Sequence, residues 1–127
     1  MKIAQKILEI EALCENLLKK NTDGGLLKFK VLAFAKLYSN LSVSMIIEKL
    51  GIKKSNFALL TAELEKQGLL CIEHAEIDRR CRILKLTEKG EAELDAFYQK
   101  VDELLGATDI DTERSLDILI NYLNKRI

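Results

Sequence analysis

Three arginines fall within four positions in Asp78-Arg79-Arg80-Cys81-Arg82, and Lys85 follows shortly after. Guanidinium groups at this density suit phosphate, because each presents a planar fork of donors and keeps its charge at neutral pH. The flanking residues describe their support. Leu64-Glu65-Lys66-Gln67-Gly68-Leu69-Leu70 reads as a helix that ends at Gly68 and a strand that leaves it. Leu70 and Ile72 alternate with Cys71 and Glu73, and Leu84 and Leu86 alternate with Ile83 and Lys85. That period of two is the mark of half-buried strands. Thr87 then suits the N-cap of another helix. The predicted unit is a helix followed by a basic β-hairpin, the outline of a winged helix. Asp78, two residues before Arg80, is placed to hold it by a bidentate ion pair.

A second group of candidate residues lies upstream. Gly51-Ile52 makes a tight turn between a helix ending at Leu50 and one predicted over 53–67. Two short helices joined by a Gly-containing turn form a helix-turn-helix, whose second helix can lie in a DNA major groove. Phe57, Leu60 and Leu64 repeat at helical spacing and should face the core. The exposed early positions are then Lys53, Lys54, Ser55, Asn56 and Ala58, followed by Thr61 or Ala62. Asn suits adenine, and Lys suits guanine or a phosphate. The plain alternative is a solvated helix start capped by Ser55.

The remaining elements are helical. Ile3, Ile7, Ile10, Cys14, Leu17 and Leu18 share a face of a helix over 2–20, which ends in the turn 21–25. A mostly apolar helix follows over 26–38, and Ser42 or Ser44 can cap the next. A helix over 88–105 carries Leu94, Phe97, Val101 and Leu104, with Gly106 as its stop. Thr108 or Asp109 caps a last helix with Leu116, Leu119, Ile120, Leu123 and Ile127 in line. The expected fold class is mainly α with one small β-hairpin: a winged helix-turn-helix core with long N- and C-terminal dimerisation helices. Residues 1–127 read as a single domain, with 26–87 as the core and 1–25 and 88–127 as dimerisation helices. One small core cannot bury three long amphipathic stripes, so a homodimer is expected, held through Ile3, Ile7, Ile10, Leu17, Leu116, Leu119, Ile120 and Leu123.

The 127 residues are 48% apolar and 31% charged, an ordinary globular mix. The net charge is zero, which excludes a bulk polycation. The distribution is uneven: residues 91–127 hold four Lys/Arg against nine Asp/Glu, whereas each preceding segment carries a basic excess. Contact with a polyanion therefore has to come from a local patch. No apolar run is long enough to span a membrane, and the first residues do not resemble a signal peptide. A cytoplasmic location is expected, with no membrane partner.

Three widely spaced cysteines make no disulfide framework. Cys14 lies on an apolar stripe and reads as a core residue. Cys71 and Cys81 could stand nearly opposite each other across the hairpin, with His74 and Asp78 close by. A redox link or metal site there is the minor reading. His74 is the sole His, which rules out two-His metal motifs. With no Gly-rich phosphate loop either, no enzyme, cofactor or metal is expected.

The stretch Leu64-Glu65-Lys66-Gln67-Gly68-Leu69-Leu70, the Asp78-Arg79-Arg80 turn and Leu86-Thr87-Glu88-Lys89-Gly90 together resemble the MarR family of bacterial transcription regulators, most clearly over residues 41–90. The resemblance implies a homodimer on a pseudo-palindromic double-stranded DNA operator. The recognition helix would carry Lys53, Lys54, Ser55, Asn56 and Ala58. In the wing, Asp78 with Arg80 would brace the turn, Arg79 would face DNA, and Arg82 and Lys85 would add phosphate contacts. It also implies a small-molecule effector between the core and the dimer helices, near Leu13, Leu17, Phe34 and Phe97. The chain departs from the family pattern at His74 and Glu76, where the wing usually has prolines. It departs again at Leu59, Glu63 and Ile72, positions that are often Arg. Those changes, with Glu73, lower phosphate affinity. The alternative is a winged-helix dimer that has lost DNA binding and docks another protein.

Overall fold

The computed structural model describes residues 2–22, 25–78 and 80–127. They form α1 (Ile3–Lys20), α2 (Leu26–Leu37), α3 (Val43–Leu50), α4 (Lys54–Lys66), β1 (Leu70–His74), β2 (Arg82–Leu86), α5 (Glu88–Leu105) and α6 (Ile110–Asn124). The helix ends follow the local chemistry. The Ser42 hydroxyl caps α3 by accepting the Met45 N–H at 3.3 Å. The Thr87 hydroxyl caps α5 by accepting the Gly90 N–H at 3.0 Å. The Asp109 carboxylate caps α6 by accepting the Thr112 N–H at 2.6 Å. These backbone and side-chain hydrogen bonds with Thr112 hold the Asp109 carboxyl below its ordinary pKa.

The two strands pair antiparallel, with Leu70 opposite Leu86 and Ile72 opposite Leu84. This register turns the alternating leucines toward one core. Val31, Leu32 and Ala35 of α2 meet Val43 and Ile46 of α3, Phe57 and Leu64 of α4, Leu69, Leu70 and Leu84 of the hairpin region, and Leu94 of α5. Burying these side chains removes water from the junction of all five elements, which holds the helix-turn-helix and hairpin against one another.

Neither α1 nor α6 buries a residue. Ile3, Ile10, Leu116 and Ile120 are exposed, while Ile7, Leu17, Leu119 and Leu123 are half-buried. The C-terminal end of α6 is nonetheless tied to the core. Asn124 accepts from the Lys49 ammonium at 2.8 Å and donates to the Tyr38 hydroxyl at 3.2 Å.

Two expectations about cysteine are corrected. Cys14 is exposed rather than buried, because the apolar stripe of α1 does not turn into this chain's core. Cys71 pairs with Lys85, whereas Cys81 lies beyond the ladder, its carbonyl accepting the Ala75 N–H at 2.8 Å. Cys81 therefore stands opposite Ala75, four residues beyond Cys71 and past the end of β1, so the register does not set the two cysteines across from each other.

Candidate nucleic-acid interface

The turn between α3 and α4 is short because Gly51 takes a left-handed conformation, with φ of 67°. Its N–H reaches back to the Ile47 carbonyl at 3.0 Å, closing α3 in one residue. Lys53 then stands at the N-cap of α4 with no side-chain cap, so Ser55 is not the cap. Phe57 is buried and pins the helix to the core, leaving Lys53, Lys54, Ser55, Asn56 and Ala58 exposed around it. Thr61 is a correction: it is buried, and its hydroxyl donates to the Phe57 carbonyl at 2.9 Å. Ala62 is exposed.

The wing is built at the other side of α4. Asp78 organises its tip: one carboxylate oxygen accepts the Arg80 backbone N–H at 3.0 Å and the Arg80 Nε–H at 3.4 Å. The expected bidentate fork is therefore replaced by a turn-closing contact through a single oxygen. The Cys81 N–H donates to the Asp78 carbonyl at 2.9 Å and completes the turn. Arg80 remains 93% exposed in its side chain, with most of its donors available. Arg79 lies outside the described residues.

Arg82 joins the two halves. It lines a cleft of about 190 Å³ with Lys54, Ala58 and Glu65 of α4 and with Ile72. It also lines a second cleft of about 290 Å³ with Asp78, Arg80, Ser42 and Ser44. Arg80 and Arg82 of the wing thus border one cleft with Ser42 and Ser44 at the start of α3. Ser42 and Ser44 enter this cleft although the sequence marks them only as caps; the hairpin's three-dimensional fold over α3 is what brings them in.

Lys85 stands apart. Its ammonium lies 3.1 Å from the Glu73 carboxylate, and that contact raises its pKa. It borders another cleft with Ala35, Lys36, Ser39 and Glu91. Two apolar side chains are also open to solvent: Leu59 on α4 is 75% exposed, and Ile77 in the wing turn is fully exposed. Among the described residues no cluster of His, Cys, Asp and Glu could hold a metal ion. No described helix is long and apolar enough to cross a membrane.

The expected effector residues line no common cleft within the chain. Phe97 stacks on Phe29 at 4.4 Å between centroids and borders a cleft with Lys28 and Glu93. Phe34 lines a separate cleft against α6, and Leu13 and Leu17 border neither.

The architecture matches solved structures over nearly its whole length. Apo MarR from E. coli superimposes with a TM-score of 0.75 at 19% identity, over 97% of both chains. The fold is that of the MarR family. A MarR variant in complex with operator DNA shares it, with a TM-score of 0.59 at 18% identity over 97% of this chain and 99% of that one. CouR from Rhodococcus jostii, solved bound to p-coumaroyl-CoA, does so with a TM-score of 0.70 at 22% identity over 93% and 89%. In sequence, the chain is 33% identical over 97 residues to the uncharacterized HTH-type transcriptional regulator YfiV of Bacillus subtilis. That alignment takes in 76% of this chain and 56% of YfiV, so the chain spans just over half the length of this curated relative. No protein-family model matches the sequence. The MarR-type fold makes α3–α4 the helix-turn-helix and β1–β2 the wing.

Proposed function

We propose that this chain is a transcription regulator of the cytoplasm that binds double-stranded DNA as a homodimer, reading a pseudo-palindromic operator. The observation that carries this reading is the convergence at Arg82. Its side chain borders the exposed start of α4 on one side and the Arg80, Ser42 and Ser44 cleft on the other. Lys53, Lys54, Ser55, Asn56 and Ala58 supply contacts for the major groove, while Arg80 and Arg82 reach phosphate. Asp78 braces the wing, and Lys85 contributes when Glu73 releases it.

The dimer rests on α1 and α6, which bury no residue within the chain and leave Ile3, Ile10, Leu116 and Ile120 exposed. A two-fold pair sets two α4 helices about one DNA turn apart, roughly 10 base pairs.

A second reading has its own support. Leu59 and Ile77 expose apolar surface where a reader of DNA usually offers polar groups, and Glu73 neutralises Lys85. A protein-docking module would use such a face.

Selection from a random duplex pool decides between them. The regulator reading predicts enrichment of a palindromic site. It also predicts affinity that falls roughly a thousandfold or more between about 50 and 200 mM salt. No enrichment and no binding at low salt would leave the docking module.

A further inference from the structure

Leu59 is the large apolar side chain that α4 leaves open to solvent, at 75% exposure. It stands two residues after the buried Phe57, about 200° around the helix, so it projects from the face opposite the core. Its neighbours on that face are Ser55, one turn before, and Ala62, one turn after, with Ala58 at the edge. All three are exposed and short. Leu59 therefore rises above the outer face, and nothing beside it keeps the α4 backbone from approaching a surface closely.

The surroundings say what that surface is. Lys53 and Lys54 flank the helix start and Lys66 closes its end, all exposed. Ala58 and Ala62 also line the cleft that Arg82 borders, so the apolar centre is continuous with the basic side of the wing. Glu63, one turn after Leu59, is drawn toward the end of α4 by a 3.1 Å hydrogen bond from Gln67. An apolar point with a cationic rim suits a polyanion that carries apolar groups between its charged edges. Duplex DNA is such a partner. In its major groove the thymine 5-methyl is the apolar feature, whereas the other base-edge groups donate or accept hydrogen bonds. A leucine pressed onto those groups strips their water without replacing it, which costs binding energy. Pressed onto a methyl group, it gains from apolar burial.

We infer that Leu59 reads the 5-methyl group of a thymine in each half-site of the operator, which makes α4 selective for an A·T pair at that step. Asn56 lies one turn before Leu59 and matches adenine, so the two side chains ask for the same class of base pair. The inference rests on the regulator reading and adds which base chemistry α4 selects. The competing occupant of this face, an apolar protein surface, is decided by the same test.

The test uses the full chain and the palindromic duplex recovered by selection. Each thymine of a half-site is replaced in turn by deoxyuridine, symmetrically in both halves. The exchange keeps the pairing with adenine and removes only the methyl group. At one such position binding should weaken about fourfold per half-site, or about fifteenfold for the pair, as expected for one buried methyl group on each side. Leu59→Ala should bring the thymine and deoxyuridine duplexes to equal affinity. The position is exposed and Ala favours helix, so the circular dichroism should not change. Arg80→Ala should lower both affinities and keep their ratio. A selected palindrome at which no exchange to deoxyuridine weakens binding would overturn the inference and leave the regulator reading standing. So would a methyl effect that survives in Leu59→Ala, because another side chain would then be reading it. Unchanged operator affinity in Leu59→Ala would overturn it too and leave the face to a protein partner. Failure to bind any duplex would overturn the regulator reading and this inference together.

Discussion

Gly90 lets the first turn of α5 lie directly on the carbonyl of Leu69: a Cβ at this position would overlap that oxygen. Two hydrogen bonds hold the approach. The Thr87 N–H donates to the Leu69 carbonyl at 3.1 Å, and the Thr87 hydroxyl donates to the Gly68 carbonyl at 2.6 Å. The neighbour at Gly90 is backbone rather than a flexible side chain, so it cannot swing aside. Gly90→Ala should cost about 3 kcal/mol, in the range of overpacking a tight core. For a chain of this size that is a melting temperature lower by about 10 °C. A variant that melts within a degree or two of the parent would show that α5 shifts freely.

The same contact explains what the sequence could and could not announce. Leu86-Thr87-Glu88-Lys89-Gly90 was recognisable as a pattern, and Thr87 as a cap follows from its hydroxyl alone. Why the fifth position must be Gly depends on Leu69, twenty-one residues before Gly90, and only the packed hairpin brings them together. Strand register was legible because alternating leucines leave one face for the core. The mutual position of Cys71 and Cys81 was not, because the turn from Ala75 to Cys81 sets it and periodicity says nothing about turn length. Thr61 misled for a related reason: a hydroxyl that bonds its own helix's carbonyl can be buried at no cost in unsatisfied donors. Cys14 misled because an apolar stripe reports that something covers a helix without saying which chain does.

The charge balance of the wing yields opposite predictions for neighbouring residues. Arg80→Ala and Arg82→Ala should each weaken binding to a selected operator while leaving the fold intact. Each should also lower the slope of log affinity against log salt by about 1, as expected for one lost phosphate contact. Glu73→Gln acts the other way, because it releases the Lys85 ammonium from its 3.1 Å partner. Affinity for unrelated duplexes should rise and the salt slope should steepen. If Glu73→Gln leaves nonspecific affinity unchanged, Lys85 does not face DNA.

Asp109 gives α6 a dependence on acid. Its carboxylate is stabilised by the Thr112 N–H and hydroxyl, so its folded pKa lies below the ordinary 3.8. A depressed carboxylate pKa adds stability that is fully present above the unfolded value and lost as pH falls through the folded one. The first turn of α6 should therefore fray below about pH 3.8, ahead of the core. Asp109→Asn keeps an acceptor at the N-cap but removes the titration. The protection of the Thr112 amide, taken relative to its intrinsic exchange rate at each pH, should fall in acid in the parent and lose that step in Asp109→Asn. A parent profile as flat as the variant's would mean that the cap contributes nothing.

The exposed faces of α1 and α6 make the strongest demand on what lies outside the chain. Ile3, Leu8, Leu13, Ile110, Leu116 and Ile118 all stand open to solvent on helices that bury nothing. Isolated helices of this length are marginal in water and depend on covering their apolar face. Under the proposed homodimer a second copy would supply a matching pair of faces, since a two-fold interface brings the same patch from each side. Leu116→Glu puts a charge in the exposed apolar face of α6 and so tests association directly. Light scattering should report a dimer for the parent and a monomer for the variant at the same concentration, with α2–α5 still folded. Operator affinity should fall with it, because one reading head alone contacts only half of the site. A variant that stays dimeric would move the interface off Leu116, leaving the α1 face around Leu8 and Leu13 to be tested by the same substitution.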